Sequence, residues 1–443
     1  MIENLKKNEK YYLATFGCQM NVYDSNMIGG MLENRGMEST LDPNIADVLI
    51  VNTCSIRGGA EDRAYARIAG MRYYKRKNPN IRIAVIGCMA QNHGEKIPVE
   101  LDHVDFVVGP DNYRELENKL FEPRQRKPLV LTEQNAFENY SGIMAKLDSA
   151  ISCNITIMRG CNKRCTYCIV PTVRGVERSR DAESIVEEVK RAVSEGVKEV
   201  CLLGQTVNSY RTENDSFASL LRKLNAIEGL KRIRFTSPHP RHFDSETIDA
   251  MAESEKICRH VHIPVQSGSN DILKKMRRQY TRERFLEIVA EIRAKIPGVG
   301  LSTDIITGFV GETEEDFKET LSLIETVGFD SAFTFSYSPR EGTPAFDEVE
   351  TLSEAEKHHR LEQLIELQTR ITEKKLEAMI GKTEEILIEG KSSRSEEEWI
   401  GKTSCFKKVV IPYIPGMEKG SLIHAKILAR SGTVLRGEAL ENP

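Results

Sequence analysis

The 443-residue chain has no apolar run that approaches the roughly 18 residues needed to cross a bilayer. Its first ten residues carry charges but lack the apolar segment of a secretory signal. It also lacks an excess of either charge, with 62 Lys and Arg against 66 Asp and Glu. Any contact with nucleic acid would therefore depend on local patches. We expect a cytoplasmic protein that does not bind a membrane.

The ten cysteines do not indicate a disulfide framework, because thiols stay reduced in the cytoplasm. Six of them fall into two patterns that indicate metal ligation. The other four lie in or beside apolar runs, where a buried cysteine packs as a small hydrophobic side chain. These four are Cys153, Cys201, Cys258 and Cys405.

Cys161, Cys165 and Cys168 share one short loop with the spacing C-x3-C-x2-C. A closed zinc site needs a fourth ligand, either from a second cysteine pair or from histidines at matching spacing, and the loop has neither. A cubane iron–sulfur cluster held by three cysteines keeps one iron open to a substrate or cofactor. A disulfide or a zinc knuckle is the alternative for this loop. The spacing favours the cluster.

The same loop, Arg-Gly-Cys-Asn-Lys-Arg-Cys-Thr-Tyr-Cys over residues 159–168, resembles that of the radical S-adenosylmethionine (SAM) enzymes. In that family the open iron binds the amino and carboxylate groups of SAM. An electron from the cluster then cleaves SAM to a 5′-deoxyadenosyl radical. The resemblance implies this chemistry for the triad of Cys161, Cys165 and Cys168.

A second triad is distributed over the first part of the chain. Apolar runs at residues 11–16, 46–51, 81–86 and 104–108 alternate with helical patterns, which indicates a parallel sheet flanked by helices. Cys18, Cys54 and Cys88 follow three of these runs directly. Ligands bind outside the carboxyl ends of such strands, so the three thiols are expected to converge there. Three unrelated cysteines at strand ends remain an equally good interpretation of the pattern alone.

The segments around these cysteines resemble the N-terminal domain of the methylthiotransferases, which are radical SAM enzymes with an auxiliary cluster. The matching segments are Gly-Cys-Gln-Met-Asn at 17–21, Asn-Thr-Cys at 52–54 and Gly-Cys-Met-Ala-Gln at 87–91. The resemblance implies a second [4Fe-4S] cluster on Cys18, Cys54 and Cys88. The basic helix predicted over 62–77, interleaved with tyrosines, suits RNA contact and equally suits a solvated helix face.

Six strand patterns alternate with helical patterns in the central part of the chain, at 154–158, 199–203, 232–236, 260–265, 301–307 and 332–337. They predict a partial (β/α)6 barrel of TIM type, open on one side. Functional residues of such barrels lie at the carboxyl ends of the strands. By the family resemblance, the residues expected to contact SAM there are Gln205, Ser237, Gln266 and Asp304. Capping or loop hydrogen bonding is the alternative role for each.

A cationic segment follows the cluster loop and contains Arg174 and Arg178, which are candidates for RNA contact or for neutralising the cluster. It resembles the family except that Asp181 replaces the usual proline, and Val310 replaces a proline further on. Thr313 and Asp316 are predicted to cap the helix that follows.

The tail predicts a long helix over 352–380, closed by Gly381, and then strands at 385–388, 408–411, 423–428 and 434–440. This part resembles the TRAM domain, an RNA-binding barrel of tRNA-modifying enzymes. The resemblance makes Lys402, Lys407, Lys408 and Arg436 candidates for RNA contact.

We therefore expect an α/β protein of three domains. Residues 9–125 form a flavodoxin-like or Rossmann-like methylthiotransferase domain, residues 145–376 form the radical SAM core, and residues 380–443 form a small β-barrel of TRAM type.

The stretch Gly-Cys-Gln-Met-Asn-Val-Tyr-Asp-Ser at 17–25 most resembles the methylthiotransferases that act on isopentenyladenosine 37 of tRNA. The resemblance implies sulfur insertion and methylation at adenine C2, with two [4Fe-4S] clusters and two SAM molecules per turnover. The implied partners are a tRNA anticodon loop, an electron donor such as flavodoxin or ferredoxin, and a sulfur donor, and we expect a monomer. Methylthiolation of threonylcarbamoyl-adenosine 37 or of an aspartate of a ribosomal protein is the alternative. A non-catalytic iron–sulfur RNA-binding sensor is the alternative of another class.

Overall fold

The computed structural model describes residues 8–55, 58–123, 125–147, 149–393 and 395–440. Residues 1–7, on which part of the expectation about the N-terminus rests, lie outside the described residues. The last three residues of the expected C-terminal domain do so as well.

The first part of the chain folds into a six-stranded parallel sheet with the order β2-β1-β3-β4-β5-β6. The strands are β1 Lys10–Thr15, β2 Glu38–Ser39, β3 Val48–Thr53, β4 Arg82–Gly87, β5 Phe106–Val108 and β6 Leu129–Leu131. The helices are α1 Gln19–Asn34, α2 Gly58–Gly70, α3 Arg72–Lys77, α4 Cys88–His93, α5 Lys96–Glu100 and α6 Tyr113–Phe121. Alternate residues of β3 enter two different cores, which is why this strand reads as a continuous apolar run.

The predicted α/β class is confirmed, with differences at the helices. Helix α1 begins at Gln19, directly after Cys18. The helix predicted over 62–77 is divided at Met71 into α2 and α3. Strands β2 and β6, only two and three residues long, were not predicted because such short runs carry no periodic signal.

The central part folds into a partial barrel made of two parallel sheets, β7-β10-β11 and β12-β13-β14. Its strands are β7 Ser152–Thr156, β8 Met158–Arg159, β9 Arg178–Ser179, β10 Glu199–Leu203, β11 Arg232–Phe235, β12 His260–His262, β13 Gly300–Thr307 and β14 Ser331–Ser336. Its helices are α7 Val170–Arg174, α8 Ala182–Ser194, α9 Phe217–Asn225, α10 Ser245–Glu253, α11 Asn270–Lys275, α12 Arg282–Lys295 and α13 Glu314–Val327. Short 3-10 helices span Val207–Ser209 and Pro240–His242.

Backbone hydrogen bonds at Ile233 join the two sheets into one arc. Its N–H donates to the Lys256 carbonyl at 2.7 Å, and its carbonyl accepts from the Cys258 N–H at 2.9 Å. The arc of six strands therefore has β7 and β14 as its two ends. The predicted partial barrel is confirmed.

Side-chain caps define the starts of two helices in the barrel. Asp181, which stands where the family has proline, accepts a hydrogen bond from the Ser184 N–H and caps α8. Thr313 and Asp316 form the predicted capping box at the start of α13. The replacement of proline by Asp181 therefore exchanges one helix-starting device for another.

The tail consists of helix α14, Glu354–Glu377, and a closed barrel with the order β15-β16-β17-β19-β18. Its strands are β15 Thr383–Ser392, β16 Ser395–Thr403, β17 Lys408–Pro412, β18 Leu422–Ser431 and β19 Val434–Ala439. Strand β16 was not predicted, because three consecutive glutamates hide its alternation. Helix α14 ends at Glu377, earlier than predicted, and Gly381 instead donates its N–H to the Ile427 carbonyl in the C-terminal barrel.

The turn between β16 and β17 docks the C-terminal barrel against the amino-terminal ends of the central strands. Arg234 donates hydrogen bonds to the carbonyls of Thr403 and Ser404, at 3.0 and 3.1 Å. Phe406 stacks on His260 with ring centroids 5.2 Å apart. Lys407 forms a 2.8 Å ion pair with Asp330, which also pairs with Lys375 of α14. The carboxyl ends of the strands remain available for a site.

We expect Asp330→Asn to loosen this docking, because it leaves the little-exposed Lys407 ammonium without its carboxylate. The loss should be roughly 2–4 kcal/mol of stability. Trp399 is the single tryptophan and is buried in the C-terminal barrel, so its fluorescence during urea unfolding reports on this part of the chain. Glu389→Gln, at a more exposed ion pair with Lys402, is the control and should change the midpoint little. Equal midpoints for the two variants would contradict the assigned role of Asp330.

Candidate active site

The structure brings Cys18, Cys54 and Cys88 together at the carboxyl ends of three adjacent strands. Cys18 is the N-cap of α1, Cys54 follows β3, and Cys88 opens α4. Gly17 lies so close to the second cysteine that a side chain there would place its Cβ 2.6 Å from the Cβ of Cys54. With φ at +119°, Gly17 occupies a conformation that favours glycine. The sheet therefore concentrates three thiols that are 36 and 34 positions apart in sequence.

The environment of Cys88 requires a positive partner if its thiol is to ionise. Burial raises the pKa of Cys88 to about 11, which the Arg174 guanidinium opposes and the nearby Cys54 and Cys18 reinforce. Arg174 donates from Nε to the Cys88 sulfur at 3.1 Å. A thiolate in such a buried setting needs this positive compensation.

The second triad lies between β8 and α7, at the mouth of the partial barrel. Cys161 and Cys165 are buried and Cys168 is partly exposed. The Cys161 sulfur accepts the Lys163 backbone N–H at 3.4 Å and lies 3.5 Å from the Thr206 hydroxyl. Burial, with the neighbouring Cys165 next in importance, raises the pKa of Cys168 to about 12. The predicted grouping on one loop is therefore present at the mouth.

Arg278 is a residue of this site that the sequence analysis missed. It donates to the Cys165 sulfur and to the Tyr167 hydroxyl, both at 3.4 Å, and to the Pro264 carbonyl at 2.8 Å. Each triad thus has one buried guanidinium against a sulfur, Arg174 for one and Arg278 for the other. A pair of arginines just after α11 was the only sequence signal, and it resembles any exposed cationic turn.

The donor sets fit iron–sulfur clusters. The cysteines of a cubane bind different irons, so they stand further apart than the ligands of one ion. In the ranges described, no three His, Cys, Asp or Glu side chains are grouped closely enough to hold a single metal ion. Three thiols and one guanidinium at each site match the anionic character of a thiolate-bound cluster.

The two triads face each other across a short contact. Cys88 of the first triad forms one buried apolar group with Ile169 and Val173, and Ile169 directly follows Cys168 of the second triad. Helix α7 therefore lies between them. This contact places Cys88 of the first triad next to the loop that carries the second triad.

Asp24 fixes this arrangement from below. Its carboxylate pairs with Arg159 at 2.5 Å and with Arg174 at 2.6 Å, and all three side chains are buried. Burial raises the pKa of Asp24, but the two guanidiniums lower it by more, so the net pKa lies below its ordinary value. Asp24 is on α1, whose N-cap is Cys18, whereas Arg159 and Arg174 flank the barrel triad. One carboxylate thus pairs with Arg174, which bonds to Cys88 of the first triad, and with Arg159, which precedes the loop of the second.

A cavity of about 440 Å³ opens beside Cys168. Gln266 and Asp304 line it, so the structure brings two of the four SAM candidates to the barrel triad. Gln205 and Ser237 are not among its lining residues. The Gln205 Oε1 is nevertheless a buried oxygen without a hydrogen-bond partner in the described part of the chain, as expected of a group awaiting a polar ligand. Ser237 and Gln266 have φ of +57° and +75°, strained values for residues other than glycine.

The RNA candidates lie in contrasting environments. Arg174 is buried as described, and Arg178 forms a two-pronged ion pair with Asp111, both bonds at 2.8 Å, so these arginines hold the N-terminal sheet to the barrel. Lys407 likewise docks the C-terminal barrel at Asp330. Because Arg174 and Arg178 are buried and Lys407 is little exposed, and all three are ion-paired, we do not propose them as RNA contacts. Lys408 and Arg436 are exposed, and Arg436 pairs with Glu398. Lys402 is partly buried and pairs with Glu389.

None of the helices described is both long and apolar enough to cross a membrane.

Models of three protein families match the chain in order. They are the Uncharacterized protein family UPF0004 over residues 10–109, the Radical SAM superfamily over 155–324 and the TRAM domain over 377–440. Relatives similar over nearly the full length carry the name tRNA-2-methylthio-N(6)-dimethylallyladenosine synthase. That of Thermoanaerobacter sp. is 44% identical over 99% of this chain and 94% of its own. That of Clostridium botulinum is 44% identical over 97% of each, and that of Natranaerobius thermophilus is 43% identical over 99% and 98%.

Solved structures show the same fold at low identity. The radical S-adenosylmethionine methyltransferase TsrM from Kitasatospora setae, with cobalamin and a [4Fe-4S] cluster bound, is 16% identical with a TM-score of 0.59, covering 76% of this chain and 77% of its own. The cobalamin-dependent S-adenosylmethionine radical enzyme OxsB has a TM-score of 0.55 at 15% identity, covering 81% and 56%.

We expect Asp24→Asn to destabilise the protein by about 3–5 kcal/mol, since it leaves two buried guanidiniums without a counter-charge. Urea unfolding of the metal-free protein, followed by circular dichroism, measures this. Glu122→Gln is the control, because its ion pair with Lys119 is exposed and should be worth less than about 1 kcal/mol. A loss of stability for Asp24→Asn no larger than that of the control would show that Asp24 does not hold Arg159 and Arg174 in place.

Proposed function

The chain belongs to the family of tRNA-2-methylthio-N(6)-dimethylallyladenosine synthases, which are radical SAM methylthiotransferases, and we propose that it works with two [4Fe-4S] clusters, one on each cysteine triad. The reaction is the conversion of N6-isopentenyladenosine 37 of tRNA to its 2-methylthio derivative. The division of the chain into residues 9–125, 145–376 and 380–443 is part of the same proposal.

One observation carries the two-cluster proposal, namely the contact of Cys88 with Ile169 and Val173. Sulfur insertion at adenine C2 breaks a C–H bond that is too weakly acidic for a side-chain base. A radical source and a sulfur source must therefore flank one carbon. Two three-thiol sites separated by a single short helix provide neighbouring positions for both.

The roles of the residues follow from their positions. Cys161, Cys165 and Cys168 would hold the cluster that, with SAM, supplies the 5′-deoxyadenosyl radical when bound. Cys18, Cys54 and Cys88 would hold the cluster that provides the sulfur. Gln266 and Asp304 would bind SAM in the cavity beside Cys168, with Gln205 and Ser237 at the neighbouring strand ends. Arg278 and Arg174 would keep positive charge at the two sulfur sites.

The partners follow from the reaction. The proposal requires the anticodon loop of a tRNA, two SAM molecules per turnover, an electron donor such as flavodoxin or ferredoxin, and a source of replacement sulfur. It places a monomeric protein in the cytoplasm. Lys408, Arg436 and Lys402 of the C-terminal barrel are the proposed RNA contacts, because the tRNA must extend beyond the base that enters the barrel mouth.

We expect anaerobically purified protein to contain about eight irons, and the alanine variants of Cys18, Cys54 and Cys88 about four, because each triad holds one four-iron cluster. Iron and acid-labile sulfide analysis measures this. Cys153→Ala, at a buried cysteine of the barrel core, should keep about eight. An unchanged iron content in all three variants would remove the auxiliary cluster from the proposal.

We expect Cys88→Ala to retain formation of 5′-deoxyadenosine from SAM under reducing conditions and to lose the methylthio product. Cys165→Ala should lose both, because the radical step precedes sulfur transfer. Mass spectrometry of nucleosides from tRNA carrying isopentenyladenosine measures the product, and chromatography measures deoxyadenosine. Methylthio product from Cys88→Ala would refute the sulfur role of that triad.

A further inference from the structure

Phe333 is an exposed aromatic side chain inside the partial barrel. It lies on β14, the edge strand of the arc, and is 55% exposed. In the parallel pairing of β13 with β14, Asp304 is opposite Phe333 and Ile306 is opposite Phe335. Residues opposite each other in a parallel pair share a face of the sheet. Since Asp304, Ile306 and Phe335 line the cavity beside Cys168, Phe333 lies on the cavity face as well.

The opposite face of the strand is ordinary core. Ala332 packs against the large core under the surrounding helices, and Thr334 shares its face by alternation. Phe333 is therefore exposed on the inner face of the barrel, at the edge where the arc is open, and not on the outer face of the strand.

The face that carries Phe333 is apolar on the side toward the mouth and continues the lining of the cavity. Phe335, Ile306 and Tyr337 line the upper part, near the mouth. Phe333 lies two residues lower, about 6.6 Å along the strand. Its ring meets the His262 ring edge to face at 5.9 Å, which holds it in place. A large aromatic ring kept exposed beside an active-site cavity marks a surface that an apolar group covers.

We infer that Phe333 and Phe335 form the binding site for the dimethylallyl group of the substrate base. The inference rests on the proposed function and adds a determinant of substrate choice to it. The adenine stacks near Phe335 at the mouth, and its five-carbon tail extends down the strand to Phe333. The occupant follows from continuity, because the same face that carries Phe333 also lines the cavity beside Cys168.

The polarity of this face distinguishes between modified bases. The carboxylate of Asp304, opposite Phe333 in register, lies 3.4 Å from His262, and Arg340 also lines the cavity. A threonylcarbamoyl group carries its own carboxylate, which would lose its hydration against the phenyl rings. An unmodified adenine would leave the rings uncovered. The face therefore favours a neutral branched hydrocarbon over both.

The test compares Phe333→Ala with Phe333→Leu and with Thr334→Val, the matched control on the opposite face of the same strand. Binding of anticodon stem-loops with isopentenyladenosine or plain adenosine is measured by fluorescence anisotropy, without SAM. We expect Phe333→Ala to lose roughly 10-fold or more of the preference for the modified loop, as expected for hydrocarbon contacts. Phe333→Leu should restore most of it, and Thr334→Val should keep it in full.

Turnover separates this inference from the function itself. Phe333→Ala should raise KM for the modified tRNA, whereas Thr334→Val should leave this KM unchanged. An unchanged preference in Phe333→Ala, or equal losses in Phe333→Ala and Thr334→Val, would overturn the inference. If wild-type protein cleaves SAM but binds both stem-loops equally, the inference fails and the radical SAM chemistry stands. If wild-type protein with iron clusters forms no deoxyadenosine, the proposed function fails instead.

Discussion

The carboxylate of Asp24 between Arg159 and Arg174 is the interaction on which the site depends. Burying three charges costs several kcal/mol each in desolvation, so this arrangement is a poor way to gain stability. Its value is geometric, because a carboxylate accepts both guanidiniums only in one relative placement of α1 and the cluster loop. Arg159 also makes a cation–π contact with Tyr140, with its guanidinium carbon 4.7 Å from the ring centroid. A hydrophobic contact of similar area would tolerate sliding between the two units, and sliding would separate the sulfur sites.

The same logic continues through the cationic segment after the cluster loop. Arg178 pairs with Asp111, and Arg180 pairs with Glu188 at 2.7 Å, with Tyr23 bonded to both. Each pair crosses or braces the border between the N-terminal sheet and the barrel. The C-terminal barrel docks at the opposite end of the central strands, through Phe406 and Lys407. The C-terminal barrel therefore leaves the carboxyl ends of the central strands uncovered, and the N-terminal sheet borders the mouth instead.

The fold class and the triad of Cys161, Cys165 and Cys168 were predicted from local signals, the short apolar runs of β7 and β10 through β14 and the spacing within one loop. The pattern left the convergence of Cys18, Cys54 and Cys88 as one of two equal interpretations, and the family resemblance favoured it. The pairs formed by Asp24 could not be predicted, since its partners lie 135 and 150 positions away and the residue reads as an ordinary polar helix position. For the same reason Arg174 and Arg178 were predicted to be RNA contacts. Composition shows that a cation is present, but burial decides whether RNA can reach it.

Backbone strain is concentrated where the chemistry is proposed. Of the non-glycine residues with positive φ in the described ranges, Ser237 and Gln266 lie in the loops that follow β11 and β12, and Arg277 and Gln279 flank Arg278. Each such residue costs of order 1–3 kcal/mol and persists only where its surroundings impose it. Here the surroundings are specific: the Gln266 N–H donates to the Asp304 carbonyl at 2.9 Å, and Arg278 is held by Pro264 and Tyr280. These contacts hold Gln266 and Arg278 at the mouth of the barrel.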